Sequence, residues 1–174
     1  MPPISINQSK ALFFHDNYVE NVLTIAARHD VPTHLLHVEV TESMAWLDEE
    51  AFIRTLDALR RAGIGLSLDD FGKGYSSMAM LHSFGFDTIK LDRKVFYGEK
   101  GFDDESKHIV STLISLSHDL GKNVVSEGIE TQEQVQFLRD RRCDMIQGFY
   151  YSRPMPKEDY WKRLTETEGE KSKK

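Results

Sequence analysis

Short apolar runs alternate with longer amphipathic stretches along the chain. The apolar runs have the two-residue period of β-strands, and the amphipathic stretches have the wider spacing of helices. The predicted strands are Ile4–Asn7, Leu36–Thr41, Ile64–Asp69, Thr88–Asp92, Asn123–Glu127 and Met145–Phe149. The predicted helices are Asn17–His29, Asp48–Ala62, Tyr75–Phe84, Asp103–Leu120, Gln132–Arg141 and Lys157–Leu164. This alternation predicts an α/β fold of about six βα units around a parallel sheet.

The predicted strands each have one apolar and one polar face, because successive side chains of a strand point to opposite sides. The polar face carries a polar residue near nearly every carboxyl end. These residues are Asn7, Glu39, Asp69, Lys90 and Asp92, with Glu127 and Gln147 ending the fifth and sixth strands. Such a rim is typical of a barrel that has its site at the carboxyl ends of the strands. An open doubly wound sheet is the alternative, but its strands should be apolar on both faces.

Composition limits the classes of protein that the chain can belong to. The 174 residues, 40% of them hydrophobic, suit one globular domain over residues 1–164, followed by a polar tail, 165–174, predicted to be disordered. A formal net charge of −6 and no basic stripe argue against binding a nucleic-acid polymer. No apolar run is long enough to span a membrane. The single cysteine, Cys143, excludes an intrachain disulfide, so we expect a cytoplasmic protein.

The run Asp69-Asp70-Phe71-Gly72-Lys73-Gly74 places two carboxylates at the end of a predicted strand. Carboxylate oxygens are preferred ligands of Mg²⁺ and Mn²⁺, and several of them at one rim indicate a two-metal site that binds or hydrolyses a phosphodiester. Plainer interpretations remain open for each part. The run is also typical of an acidic turn. Glu39 and Glu42 are typical of a strand-end charge and an acid at a helix start, Lys90 and Asp92 of a neighbour pair on one strand face, and Glu127 to Glu130 of a helix cap.

Six motifs in order make the chain similar to the EAL-domain family of cyclic di-GMP phosphodiesterases. They are SINQS at 5–9, EVTES at 39–43, DDFGKGYSS at 69–77, IKLD at 89–92, SEGIET at 126–131 and QGFYYSRP at 147–154. The resemblance covers residues 4–164. It implies a (β/α)8 TIM-type barrel that binds two Mg²⁺ or Mn²⁺ ions and opens cyclic di-GMP to the linear dinucleotide.

The resemblance also implies roles for individual residues. The implied metal ligands are Asn7, Glu39, Asp69, Asp70 and Asp92. Lys90 would hold the attacking water or a phosphate oxygen, and Glu127 would be the general base or its support. Glu42 would anchor the DDFGKGYSS loop, 69–77, which shapes the second metal site. Glu130, Gln147 and Arg153 would complete the ligand pocket.

Two departures from the family pattern affect the expected function. The strand with the Glu-Ala-Leu signature, whose Glu is a metal ligand in the family, is absent, and Lys73 stands where the family usually has threonine. We therefore expect an incomplete barrel whose open edges are covered by self-association or by a partner protein. We expect lost or weak hydrolysis and a regulatory role in binding ligand or protein. An active phosphodiesterase and a pure protein-interaction module are the alternatives, and the chain as a fragment of a longer enzyme is a third possibility.

Overall fold

The computed structural model describes residues 3–72, 80–81, 84–96 and 102–171. The strands are β1 (Ile4–Asn7), β2 (Leu36–Thr41), β3 (Gly65–Phe71), β4 (Thr88–Leu91), β5 (Asn123–Ser126) and β6 (Met145–Ile146). The helices are α1 (Lys10–Phe13), α2 (Tyr18–Arg28), α3 (Glu42–Ala45), α4 (Glu49–Arg61), α5 (Asp104–Asp119), α6 (Gln132–Asp140) and α7 (Lys157–Lys171). Two 3₁₀ turns occupy Thr33–Leu35 and Arg93–Phe96.

The six strands form one sheet in chain order, and every neighbouring pair is parallel. This confirms the predicted fold class, an incomplete TIM-type barrel of six strands with helices on its outer side. Within the described residues, β1 and β6 pair on one side only and are the two edges of the sheet.

The hydrophobic core lies between the outer face of the sheet and the helices. Val38 and Val40 of β2, Leu66 and Leu68 of β3 and Ile89 of β4 are all at most 1% exposed. They pack with buried residues of the helices in one cluster. The apolar face that the two-residue period predicts is therefore the face that the helices cover.

The first strand is an exception to this burial. Ile4 and Ile6 lie on its apolar face but remain 47% and 39% exposed. Since β1 is an edge strand, helices cover its outer face from one side only. The apolar face of β1 is therefore only partly covered.

A β-bulge lengthens β3 beyond the predicted end at Asp69. Leu68 pairs with Ile89 and Phe71 pairs with Leu91, so three steps along β3 match two steps along β4. Asp70 takes up the extra residue in the left-handed conformation, with φ 60°. The bulge shifts the alternation by one position, so that Phe71 rather than Asp70 joins the buried face.

The last strand is shorter than predicted, because the chain leaves the sheet after Ile146. Gly148 lies so close to the segment after β5 that a Cβ added there would be 2.0 Å from the Ile129 carbonyl oxygen. The Tyr150 amide then donates to that oxygen over 3.0 Å. Residues 147–151 therefore turn across the end of β5 instead of extending β6 to Phe149.

The final helix extends to Lys171, seven residues beyond the end predicted at Leu164. The Thr165 hydroxyl lies within hydrogen-bonding distance of the Trp161 and Lys162 carbonyls, as expected inside a helix. Most of the predicted helix Tyr75–Phe84 and the departure at Lys73 lie outside the described residues. Within the described ranges, no helix has the length and apolar character needed to cross a membrane.

Candidate active site

The Lys90 ammonium contacts three carboxylates at the carboxyl ends of the strands. Its Nζ atom lies 2.6 Å from Glu39 Oε2, 2.8 Å from Glu127 Oε1 and 3.2 Å from Asp69 Oδ1. Four strand ends are joined by these contacts, since the acids come from β2, β3 and the residue after β5. The parallel register brings together side chains that are far apart in sequence, as predicted for the rim.

Burial shields the charges of this cluster from water, so each charge depends strongly on its neighbours. The four side chains are between 5% and 17% exposed. Burial by itself would lower the pKa of Lys90, but the hydrogen bonds to Glu127 and Glu39 outweigh it and raise the pKa above its usual value. Lys90 therefore stays charged over the whole range in which proteins are normally handled.

The pKa of Glu127 is raised above its usual value, mainly because the carboxylate is buried. The Lys90 ammonium opposes this effect, but Glu39 and Asp69 share the same ammonium and their charges add to the rise. Three carboxylates facing one ammonium leave an excess of negative charge. Such a site favours additional positive charge beside Glu127.

Asp70 directly follows Asp69, and Asp92 lies two residues after Lys90, both at the β3 bulge. The Asp92 amide donates to the Phe71 carbonyl over 3.1 Å, directly after the bulge. Asp92 is 8% exposed as a residue, and its carboxylate accepts from the Lys94 amide at 2.9 Å. The Asp70 amide bonds Asp69 Oδ1 at 2.9 Å, and its left-handed φ is a strained conformation of the kind that gathers at functional sites.

Asn7, Glu42 and Gln147, which were also predicted for the site, lie at or next to the ends of β1, β2 and β6. Asn7 lies opposite Glu39 in the β1–β2 register and its side chain is exposed. Glu42 is the first residue of α3, and its neighbour Thr41 ends β2. Gln147 follows β6 and is held by its backbone between Ser126 and Ile129.

Two cavities flank the Lys90–Glu127 pair. One, of about 350 Å³, opens on the inner face of the sheet and is lined by Glu39, Lys90 and Gln147 among others. The other, of about 640 Å³, lies beyond the ends of β4 to β6. It is lined by Asp92, Arg93, Glu127, Gly128, Glu130, Gln147, Gly148, Phe149, Ser152, Arg153, Pro154, Met155, Tyr160 and Arg163.

Glu130 and Arg153 belong to the larger cavity rather than to the Lys90 cluster. The Arg153 guanidinium lies 4.5 Å from the centre of the Phe149 ring. Glu130 forms a two-point ion pair with Arg93, a residue that the sequence did not single out. The position of Arg93 in the sequence could have pointed to it, because a cation directly after Asp92 falls at the same rim.

The donor set suits a hard divalent cation in its chemistry, because the rim offers carboxylate and amide oxygens. In the described part of the chain, no three histidine, cysteine, aspartate or glutamate side chains form a ready-made metal cluster. Oxygens of Glu39 and Asp69 also contact the Lys90 ammonium.

The fold and site define a class: a parallel α/β half-barrel with a carboxylate-rich rim around one buried lysine. The EAL domain family matches residues 1–154, and the chain belongs to that family. It is 40% identical over 156 residues to MucR of Pseudomonas aeruginosa, described as a bifunctional diguanylate cyclase/cyclic di-GMP phosphodiesterase. That match covers 89% of this chain and 22% of MucR.

Solved EAL structures have the same fold. The phosphodiesterase of MucR in complex with cyclic di-GMP superposes with a TM-score of 0.82 at 37% identity, covering 91% of this chain and 64% of that one. The EAL domain of Mycobacterium smegmatis DcpA gives 0.87 at 32% identity, with 94% and 73% covered. BlrP1 of Klebsiella pneumoniae, in a manganese/cyclic di-GMP complex, gives 0.80 at 32% identity, with 87% and 39% covered. This chain spans about a fifth of the full length of MucR.

Proposed function

We propose that the chain binds cyclic di-GMP at the carboxylate rim, with weak or no hydrolysis, and acts as a ligand-binding or protein-binding regulator. The family and the MucR and BlrP1 complexes support the choice of ligand. The observation that carries the binding site is the Lys90 cluster, in which Glu39, Asp69 and Glu127 converge at the ends of the strands. The weak hydrolysis rests on Lys73, a cation in the loop after Asp70 where the family usually has threonine.

Divalent Mg²⁺ or Mn²⁺ ions are the proposed cofactors, and BlrP1 was solved with manganese and cyclic di-GMP. Asn7, Glu39, Asp69, Asp70 and Asp92 would hold them. When bound, such ions neutralise phosphate charge and lower the pKa of a coordinated water. The chain's own residues would do the rest: Lys90 would hold a phosphate oxygen, and Glu127 would accept a proton.

A second candidate function is active hydrolysis to the linear dinucleotide. It is favoured by Glu127, because a carboxyl group with a raised pKa is closer to the range suited to a general base. The 2.8 Å contact between Lys90 and Glu127 would then orient the base beside the scissile phosphate. The proposed coverage of the open sheet edges, by self-association or by a partner protein, is compatible with both functions.

Calorimetric titration with cyclic di-GMP in Mn²⁺, together with chromatography of the linear product, tests the proposal. We expect binding with little or no product. Asp69→Asn should weaken binding at least about tenfold, since it changes a predicted metal ligand and even outer-shell partners of ligands contribute this much. The matched control is Asp57→Asn, which removes a carboxylate paired with Arg60 on the surface of α4. Turnover like that of an intact family enzyme would favour the second function, and absence of binding would leave a protein-interaction module.

A further inference from the structure

Arg93 links the strand ends that carry Asp92 and Glu127. It follows Asp92 directly and opens the 3₁₀ turn after β4. Its Nη1 atom contacts Glu130 Oε1, and its Nη2 atom lies 3.3 Å from Glu130 Oε2. This two-point geometry fixes the orientation of both planar groups, which a single ion-pair contact does not do.

The aliphatic part of Arg93 packs against the backbone directly after Glu127. A Cβ added at Gly128 would lie 2.6 Å from Arg93 Cβ and 3.0 Å from its Cγ and Cδ. Gly128 also has a φ of +67°, a conformation that favours glycine. The residue after the proposed base therefore lacks a side chain where the Arg93 stem crosses it.

Glu130 is in turn held by the first turn of α6. Its amide donates to Gln134 Oε1 at 2.9 Å, and Gln134 is 1% exposed. Thr131 and Gln134 cap the helix reciprocally. The carboxylate that binds Arg93 thus projects from a firmly placed backbone.

We propose that the Arg93–Glu130 pair is a clamp that sets the position of Asp92 relative to Glu127. Arg93 and Glu130 are positioning residues in this proposal, so Glu130 serves the site by holding Arg93 rather than by contacting the ligand. The inference rests on the proposed function, because Asp92 and Glu127 are the groups whose spacing the clamp controls.

A double-mutant cycle tests the clamp by cyclic di-GMP binding in Mn²⁺. Arg93→Ala and Glu130→Ala should each weaken binding about ten- to a hundredfold, the usual effect of removing an outer-shell partner. The double variant should bind no worse than either single variant, because both remove one shared interaction. Losses that multiply in the double variant would overturn the clamp and indicate separate ligand contacts.

Variants that keep or restore the pair sharpen the test. Arg93→Lys keeps the positive charge but lacks the planar guanidinium, so it should bind better than Arg93→Ala and worse than the wild type. The double exchange Arg93→Glu with Glu130→Arg should bind better than either single exchange. The control is Arg54→Ala, which breaks an exposed pair with Glu50 on α4 and should leave binding unchanged. The urea midpoint should move little in all of these, since both clamp side chains are partly exposed. A loss of binding that tracks a loss of stability would contradict a positioning role.

A measurement without ligand separates failure of the clamp from failure of the proposed function. The Asp92 amide donates to the Phe71 carbonyl, and the Glu127 amide donates to the Leu91 carbonyl. The hydrogen exchange of these two amides therefore reports on the ends of β4 and β5. Arg93→Ala and Glu130→Ala should speed the exchange of both amides, whereas Arg54→Ala should not. Unchanged hydrogen exchange in the two clamp variants would refute the clamp, even if the wild type binds cyclic di-GMP. Faster hydrogen exchange in these variants, together with a wild type that binds no cyclic di-GMP, would refute only the proposed function.

Discussion

Replacing Lys90 by methionine is the most direct test of the electrostatic account of the site. The substitution keeps a similar length and removes the ammonium that three carboxylates share. Charges about 4 Å apart attract by about 4 kcal/mol at an effective dielectric of about 20, which gives roughly 12 kcal/mol for three partners. Desolvation of the buried groups offsets much of this sum, since it costs several kcal/mol for each ion. We expect Lys90→Met to lower the free energy of unfolding by about 3–5 kcal/mol at pH 7.

Urea unfolding in EDTA at pH 7 and at pH 5 measures this effect. Without the ammonium, which opposes the rise, the pKa of Glu127 should rise further in the folded state. A carboxyl group with a raised folded pKa contributes stability in its protonated form, and this contribution is lost as pH rises through the folded pKa. The destabilisation should therefore be smaller at pH 5 than at pH 7. In a parallel measurement without EDTA, added Mn²⁺ should restore part of the stability at pH 7, because it would replace the missing positive charge.

The matched control is Lys107→Met, which removes a lysine paired with Glu133 at 2.9 Å on the surface. It should change the free energy of unfolding far less than Lys90→Met does, and without a difference between the two pH values. A Lys90→Met protein that unfolds within about 1 kcal/mol of the wild type at pH 7 would refute the reasoning. So would a loss of stability of equal size at both pH values.

Three further substitutions test other parts of the structure. Glu127→Gln should raise the thermal midpoint at pH 7, because the raised pKa of Glu127 means that its ionised form opposes folding. In a product assay, any turnover should fall at least about a hundredfold. The gain should vanish as pH falls below the usual carboxyl pKa, and a lower midpoint at pH 7 would contradict it. Asp70→Gly should raise the free energy of unfolding by about 1 kcal/mol in urea, because glycine tolerates the left-handed φ, while weakening Mn²⁺-dependent ligand binding. Phe52→Ala should lower the free energy of unfolding by about 3–5 kcal/mol, since the ring is fully buried against Phe13 and Phe84; a loss below about 1 kcal/mol would contradict the described core.

Local patterns along the chain were enough to predict that six strands exist, which faces of β2 to β4 join the core, and that Glu39, Asp69, Lys90 and Glu127 meet at one rim. Val38 and Val40 alternate with Glu39 in any extended segment, so the separation of faces follows from the backbone alone. The same local rule was misleading at Asp70, because the bulge depends on how β3 pairs with β4. It was also misleading at Ile4 and Ile6, because burial depends on what packs over an edge strand.

The sequence by itself therefore determined which residues reach the rim, since strand period and strand ends are local properties. Only the tertiary structure decided which of them interact. Lys90 and Glu39 are 51 residues apart, and their contact requires the parallel register of β2, β3 and β4. The Arg93–Glu130 pair similarly requires the end of β4 to lie beside the end of β5. Charges, burial and pKa values at the site follow from these long-range contacts, because each depends on neighbours that the strand pattern does not specify.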